Sequence, residues 1–396
     1  MTKRMSYINM DNIHWEVIVA LTDKLKLSDS KYADAEKKYN AVSKWLHDSD
    51  NEIFKDSTIY PQGSVRLGTT VKPYGANEHD IDLVVHLPKV NKYYSSEYIH
   101  ELIGDRLKDH DTYSSMLKPL KRGWRLNYAG DFHLDITPAI PDGECNNHCP
   151  INKHYAEFVP DSALRDWKSS NPRGYAEWFH KIDEKMPKFT TDSKNFVATF
   201  ESRTIEDIPN QHNFKGVLKR TVQLLKRHRD IFFNEKHITL KEYSPISILI
   251  TTLAAQAYED ILQTQELFDP VVLLKKIISD MKKFRPNENG FYYLANPTNL
   301  KENFAEKWNN SSLYSYSFSL WIEAVYNDIE VILTSNGLDI TGKAINDAFG
   351  GKYGEQVIDS LTSSIDQSRE TGLISGVFTL NEMAKPKVEK NTFFGA

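Results

Sequence analysis

The sequence predicts an α+β fold in which a β-rich half carries the chemistry and an all-helical half packs beside it, leaving a cleft between them. Three observations support this. Between Thr58 and Ile140, short apolar runs with two-residue alternation are separated by turn residues. From Asn213 onward, apolar residues recur at the three- and four-residue steps of helices. Within the first half, Asp80-Ile81-Asp82 places two carboxylates on one face of a strand while Ile81 and Leu83 bury on the other.

Taken in order, the N-terminal fifty residues read as helical. Tyr32, Ala35, Tyr39, Val42 and Leu46 share a face between Ser30 and His47, with Ser28 or Ser30 available to cap it. One further helix is expected near Ser96–Lys108. The stretch from Asn146 to Asp207 has weak periodicity and several Pro and Gly breaks. Helices are then expected over roughly 213–233, 243–263, 269–284, 299–309, 314–335 and 354–368. The expected domain limits are 1–205 for the N-terminal helices and catalytic core, 206–384 for the helical domain, and 385–396 for a flexible tail.

Bulk properties narrow the class. A chain of 396 residues that is 40% hydrophobic can bury a large core. Its net charge of −5 argues against a protein that coats nucleic acid, although a local basic groove is compatible with it. No apolar run is long enough to span a bilayer, the N-terminus is polar, and there are only two cysteines. A soluble cytoplasmic enzyme is the expectation.

Two neighbouring carboxylates repel unless a cation lies between them, so Asp80 and Asp82 are candidate ligands for Mg²⁺, with Mn²⁺ as an alternative. A third candidate lies in Phe132-His133-Leu134-Asp135-Ile136, where Asp135 interrupts an apolar run with the parity of His133 and Thr137. An adjacent strand would bring it within about 5 Å of the pair. Upstream, Gly63 and Gly68 have the glycine spacing of a P-loop, but Thr69 stands where lysine is required, so that motif fails. What remains is a tight turn whose glycine lets the backbone approach a phosphate. Ser64 could donate its hydroxyl there, and Gln62 and Arg66 flank the turn.

Gln62-Gly63-Ser64, Asp80-Ile81-Asp82 and His133-Leu134-Asp135-Ile136 together resemble the signature of polymerase-β-type nucleotidyltransferases. Longer segments are similar to the bacterial cGAS/DncV-like enzymes (CD-NTases): 62–69, 79–84, 126–139, 223–230 and 302–308. The resemblance runs from about residue 58 to 310. It implies a polymerase-β-like core and synthesis of a cyclic di- or trinucleotide from ATP, with GTP or another NTP as a possible partner. Pyrophosphate would be released without a template, and a separate effector would read the signal in anti-phage (CBASS-type) defence. Asp80 and Asp82 would hold the nucleotide-associated metal, and Asp135 would complete the second site. The resemblance also assigns triphosphate contacts to Lys226, in its Leu-Leu-Lys helix, and to Ser244 before the next helix. Lys215 and Lys219, on the same face as Lys226, fit solvated surface lysines. A non-cyclising nucleotidyltransferase, or a nucleotide-sensing module, would share much of this pattern.

Two segments stand apart. Cys145, His148 and Cys149, with His154, have the ligand types and short spacing of a zinc knot, or are two free thiols in a polar loop; their placement matches no pattern that the resemblance carries over. The C-terminus ends Phe393-Phe394-Gly395-Ala396. It resembles the tails to which a ubiquitin-transfer-like accessory protein conjugates CD-NTases.

Overall fold

A computed structural model of the chain describes residues 10–75, 79–128, 132–145, 148–163, 165–185, 216–264 and 269–371. Helices α1 (Met10–Lys24) and α2 (Asp29–His47) lead into strand β1 (Thr58–Gln62), the short α3 (Gly63–Leu67) and β2 (His79–His86). Next come α4 (Ser96–Lys108), α5 (Asp111–Met116), β3 (Leu117–Leu120), β4 (Gly123–Tyr128) and β5 (Phe132–Pro141). Strands β6 (Glu157–Asp161) and β7 (Asp166–Ser170) precede α6 (Pro172–Asp183). The remainder comprises α7 (Val217–Ile231), α8 (Ser247–Thr264), α9 (Pro270–Met281), β8 (Ala295–Asn296), β9 (Asn299–Asn303), α10 (Ser312–Thr334), α11 (Leu338–Phe349) and α12 (Tyr353–Thr371).

The sheet runs β1-β2-β5-β4-β3, and β6 and β7 extend it from the far end of β5. Strands β2 and β5 are parallel, whereas the other pairs are antiparallel. Ser28 caps α2 through a hydrogen bond that its Oγ accepts from Lys31 N, so the expected N-cap is present. One apolar cluster joins α2 and α4 to a single sheet face, through Tyr39, Val42, Ile99 and Ile103 against Ile81, Leu83, Leu134 and Ile136. A second cluster unites α7 to α12 and also takes in Ile18 and Leu21 of α1 and Phe179 of α6. Among the described residues, no helix is long and apolar enough to cross a membrane.

Three local expectations change. Residues 299–309 are not a helix but β9 followed by a 3₁₀ turn at Glu306–Asn309. The Asn303 side chain takes Leu294 N and Ala305 N and donates to Tyr292 O, so amide groups replace helical backbone bonds there. Helix α6 lies in the stretch of weak periodicity, started by Asn171, whose Oδ1 accepts from Gly174 N, and by Pro172. Helix α11 follows Gly337 and was not expected. Lys215 and the tail from 385 lie outside the described residues.

Candidate active site

Strand alternation builds the site. On β5, Phe132, Leu134 and Ile136 are buried while His133 and Asp135 face the other way. Register then aligns four strands: Gln62 pairs with Asp82, Asp82 with Asp135, and Asp135 with Arg125. Cross-strand partners project from the same face, so Gln62, Asp82, Asp135 and Arg125 form one transverse row. Asp80 stands beside His133 in the next row toward the end of the sheet.

Charge in this row is unevenly shared. Arg125 donates from Nε to Asp135 Oδ1 at 2.6 Å and from Nη2 to Asp135 Oδ2 at 2.7 Å, a bidentate pair. The same Nη2 lies 3.3 Å from Asp80 Oδ1. His133 Nδ1 is 3.2 Å from both Asp80 Oδ1 and Arg125 Nη1. Among the described residues, Asp82 has no such partner. Burial, then the charges of Asp135 and Asp80, push its carboxyl up to about 7. Asp80, Asp82 and Asp135 share one face of two paired strands, although their oxygens are not all within 4.8 Å of one another. They are a hard oxygen donor set whose mutual repulsion a divalent cation relieves. The residues therefore fit a Mg²⁺ or Mn²⁺ site.

The Gly-Ser turn abuts the acids. Gly63 follows β1 with φ of +61°, and a Cβ there would collide with Asp82 Oδ2. Glycine thus lets the backbone run directly against the Asp82 carboxylate. Ser64 is half-buried, its carbonyl accepts from Thr69 N at 3.0 Å, and its hydroxyl takes no protein partner among the described residues. Helix α7 braces the turn from behind. Lys226 Nζ donates to Thr69 O at 3.0 Å, and Gln223 Nε2 donates to Thr70 O at 2.6 Å. Burial, aided by Arg229, lowers the Lys226 ammonium to about 8, with Asp82 acting in the opposite direction.

Residues 17–183 match the Second Messenger Oligonucleotide or Dinucleotide Synthetase domain (SMODS). Over 390 residues the chain is 31% identical to a c-di-GMP synthase of Roseivirga ehrenbergii, covering 96% of each. This chain is a bacterial CD-NTase. It is also 22% identical over 365 residues to the cyclic dinucleotide synthase CdnG of Bradyrhizobium diazoefficiens, covering 89% of this chain and 83% of that one. The solved structure of CdnG from that organism in complex with GTP superposes with a TM-score of 0.65 at 19% identity, spanning 89% of this chain and 99% of that one. Vibrio cholerae DncV, a cyclic AMP-GMP synthase crystallised with non-hydrolysable GTP, gives 0.52 at 14% identity, over 88% of each. These likenesses show a polymerase-β-like core with a helical C-terminal region.

In this CD-NTase, Gln62, Asp80, Asp82 and Asp135 share one sheet face, Gly63 lies against Asp82 with Ser64 next to it in the chain, and Lys226 reaches the following loop at Thr69. Ser244 does not touch them: no hydrogen bond joins its hydroxyl to the turn or to Lys226 among the described residues. The following segment is tied to α7, because Arg229 donates to Pro245 O at 3.2 Å and Ser247 Oγ at 3.0 Å. Arg66 faces inward and packs on the Tyr60 ring, away from the turn mouth. Lys219 is not a solvated lysine, since it pairs with Asp183 at 2.7 Å in a largely covered position. Sequence reasoning missed Arg125. Its only signal is the alternation Trp124-Arg125-Leu126, buried, half-buried, buried, which sets it opposite the core.

Proposed function

We propose that this chain is a metal-dependent cyclic dinucleotide synthase joining two nucleoside triphosphates, GTP first among them, with release of pyrophosphate. The observation that carries this reading is the row Gln62-Asp82-Asp135-Arg125 with the Gly63 backbone pressed against Asp82. Guanine is favoured because a relative 31% identical is named a c-di-GMP synthase and the superposed CdnG structure holds GTP. ATP, the first expectation from sequence, becomes the comparison substrate.

Asp80 and Asp82 would hold the donor nucleotide's Mg²⁺, and Asp135 would complete a second site. When bound, the ions lower the pKa of the attacking hydroxyl and neutralise the leaving pyrophosphate. Asp135 orients the acceptor hydroxyl and helps take its proton. The Gly63 backbone, the Ser64 hydroxyl and Lys226 grip the donor phosphates, and Gln62 lines the same edge. Ser244 is proposed as a more distant phosphate contact. Joining the 3′ or 2′ oxygen of one nucleotide to the α-phosphorus of the next, twice, closes the ring and frees two pyrophosphates.

Incubation with GTP, ATP or both, with Mg²⁺ or Mn²⁺, tests this. Phosphatase-resistant product with the mass of a cyclic dinucleotide is expected. Only linear, phosphatase-sensitive product would replace this reading with a non-cyclising transferase, and no pyrophosphate from any pair would replace it with a binding module.

The finer assignments rest on the resemblance and on composition. They are the division at 205/206, a cytoplasmic location, a separate antiviral effector, and conjugation at Ala396 by an accessory protein. Deleting Ala396 should abolish conjugation and leave synthesis intact; unchanged conjugation would remove that assignment.

A further inference from the structure

The proposed reaction uses neither cysteine of this chain, yet the fold gathers both around a buried histidine. Cys145, His148 and Cys149 are all buried, and their ligand atoms lie within 4.8 Å of one another. Local backbone explains the convergence. His148 N and Cys149 N both donate to Cys145 O, at 3.2 and 2.9 Å, so one helical turn brings the side chains onto the same side. His154, the fourth candidate from sequence, is excluded because it is exposed and packs on Tyr155.

The surroundings resemble support for a metal-bound imidazole. His148 Nε2 lies 3.4 Å from Ser169 Oγ and 4.0 Å from Asp142 Oδ2. Ser169 Oγ donates to Asp142 Oδ2 at 2.5 Å and accepts from Asn299 Nδ2 at 2.9 Å. Asp142 is itself buried, and its Oδ1 takes Glu144 N at 2.9 Å. A hydroxyl–carboxylate pair behind Nε2 fixes the ring and leaves Nδ1 for a cation. The two sulfurs are paired in the structure, their Cα atoms 5.4 Å apart. A disulfide would account for them but not for the buried imidazole held against them.

We propose that Cys145, His148 and Cys149 bind a zinc ion through two thiolates and one imidazole. The role is structural. The loop follows β5, the strand of Asp135, and its His148 O accepts from Leu300 N of β9 at 2.8 Å. Zinc therefore fastens the end of a catalytic strand to the β8–β9 hairpin.

The test uses the full-length protein purified under reductant without added metal. Elemental analysis should find about one zinc per chain. It should persist in Asp82→Asn and be lost in Cys145→Ser and His148→Ala. Asp142→Asn, which keeps all three ligands, should weaken zinc affinity about 10–100-fold. Removing zinc with a chelator should lower the melting temperature, and zinc should restore it. Should the ligand variants not fold, the wild-type metal content and thiol chemistry still decide. Zinc-free protein with an unchanged melting temperature overturns the proposal. So do cysteines that, in a parallel preparation made without reductant, resist alkylation in the presence of chelator until reductant is added, which would establish the disulfide instead.

Discussion

The two faces of the central sheet use the same strands for opposite purposes. On one, Ile81, Leu83, Leu126, Leu134 and Ile136 are essentially inaccessible beneath α2 and α4. On the other, one residue along, stand Asp80, Asp82, Asp135, His133 and Arg125. The first face contributes apolar burial, worth about 1.5–3 kcal/mol per large side chain. The second gathers three carboxylates, and Asp82, buried and beside Asp135 and Asp80, opposes folding when ionised. Stability and chemistry are thus separable by parity along a single strand.

The sharpest test of that separation removes acids. Asp80→Asn and Asp82→Asn should cut pyrophosphate release on the order of 10³-fold or more, equivalent to about 4 kcal/mol of transition-state stabilisation. Stability should move the other way. With EDTA at pH 8, Asp82→Asn should melt above wild type, because wild-type Asp82 is ionised there in an unfavourable place. Its folded pKa is raised from 3.8 to about 7, so stability is lost as pH rises through that window. The advantage of Asn should therefore shrink as pH falls from 7 towards 4, and a gap independent of pH would refute the electrostatic account.

Gly63→Ala should come next, lowering kcat about 100-fold, since its Cβ displaces the Asp82 carboxylate. Its backbone strain should cost about 1–2 kcal/mol in denaturant melts. On the opposite face, Leu134→Ala should destabilise by about 2–5 kcal/mol while the folded fraction keeps its kcat. Comparable losses of kcat from this residue and from Asp135 would collapse the distinction between faces. The mildest expected effect belongs to Lys226→Gln, about a tenfold rise in KM for the triphosphate with kcat less affected. In wild type, KM should climb as pH rises past about 8, where free Lys226 loses its charge, and the variant should lack that rise.

The acids were legible because each interrupts an apolar run, and their face followed from alternation alone. Arg125 was not, because a cation between Trp124 and Leu126 declares no partner until β4 and β5 settle into register. Helix α7 shows the same limit. Its apolar steps predicted a helix, and Leu218, Val222 and Leu225 are indeed buried, but periodicity could not show that its polar side is buried too. Arg220 reaches Val19 O and Asp23 of α1, Gln223 and Lys226 reach the loop after α3, and Arg227 reaches Phe349 O of α11. Those partners lie far off in sequence, so a local pattern does not record them. The Asn-rich hairpin at β8–β9 misled for the opposite reason, since its residues satisfy backbone groups through side-chain amides.

Strands β2 and β5 are parallel neighbours, so no tight hairpin can align Asp82 with Asp135; a long crossover must close first. Lys226 then meets Thr69 across 157 residues. A chain emerging from the ribosome consequently presents its acids long before α7, which braces the loop at Thr69, exists. Truncated or half-made copies should be silent, so a cell would release no signal from a synthase it had not finished building.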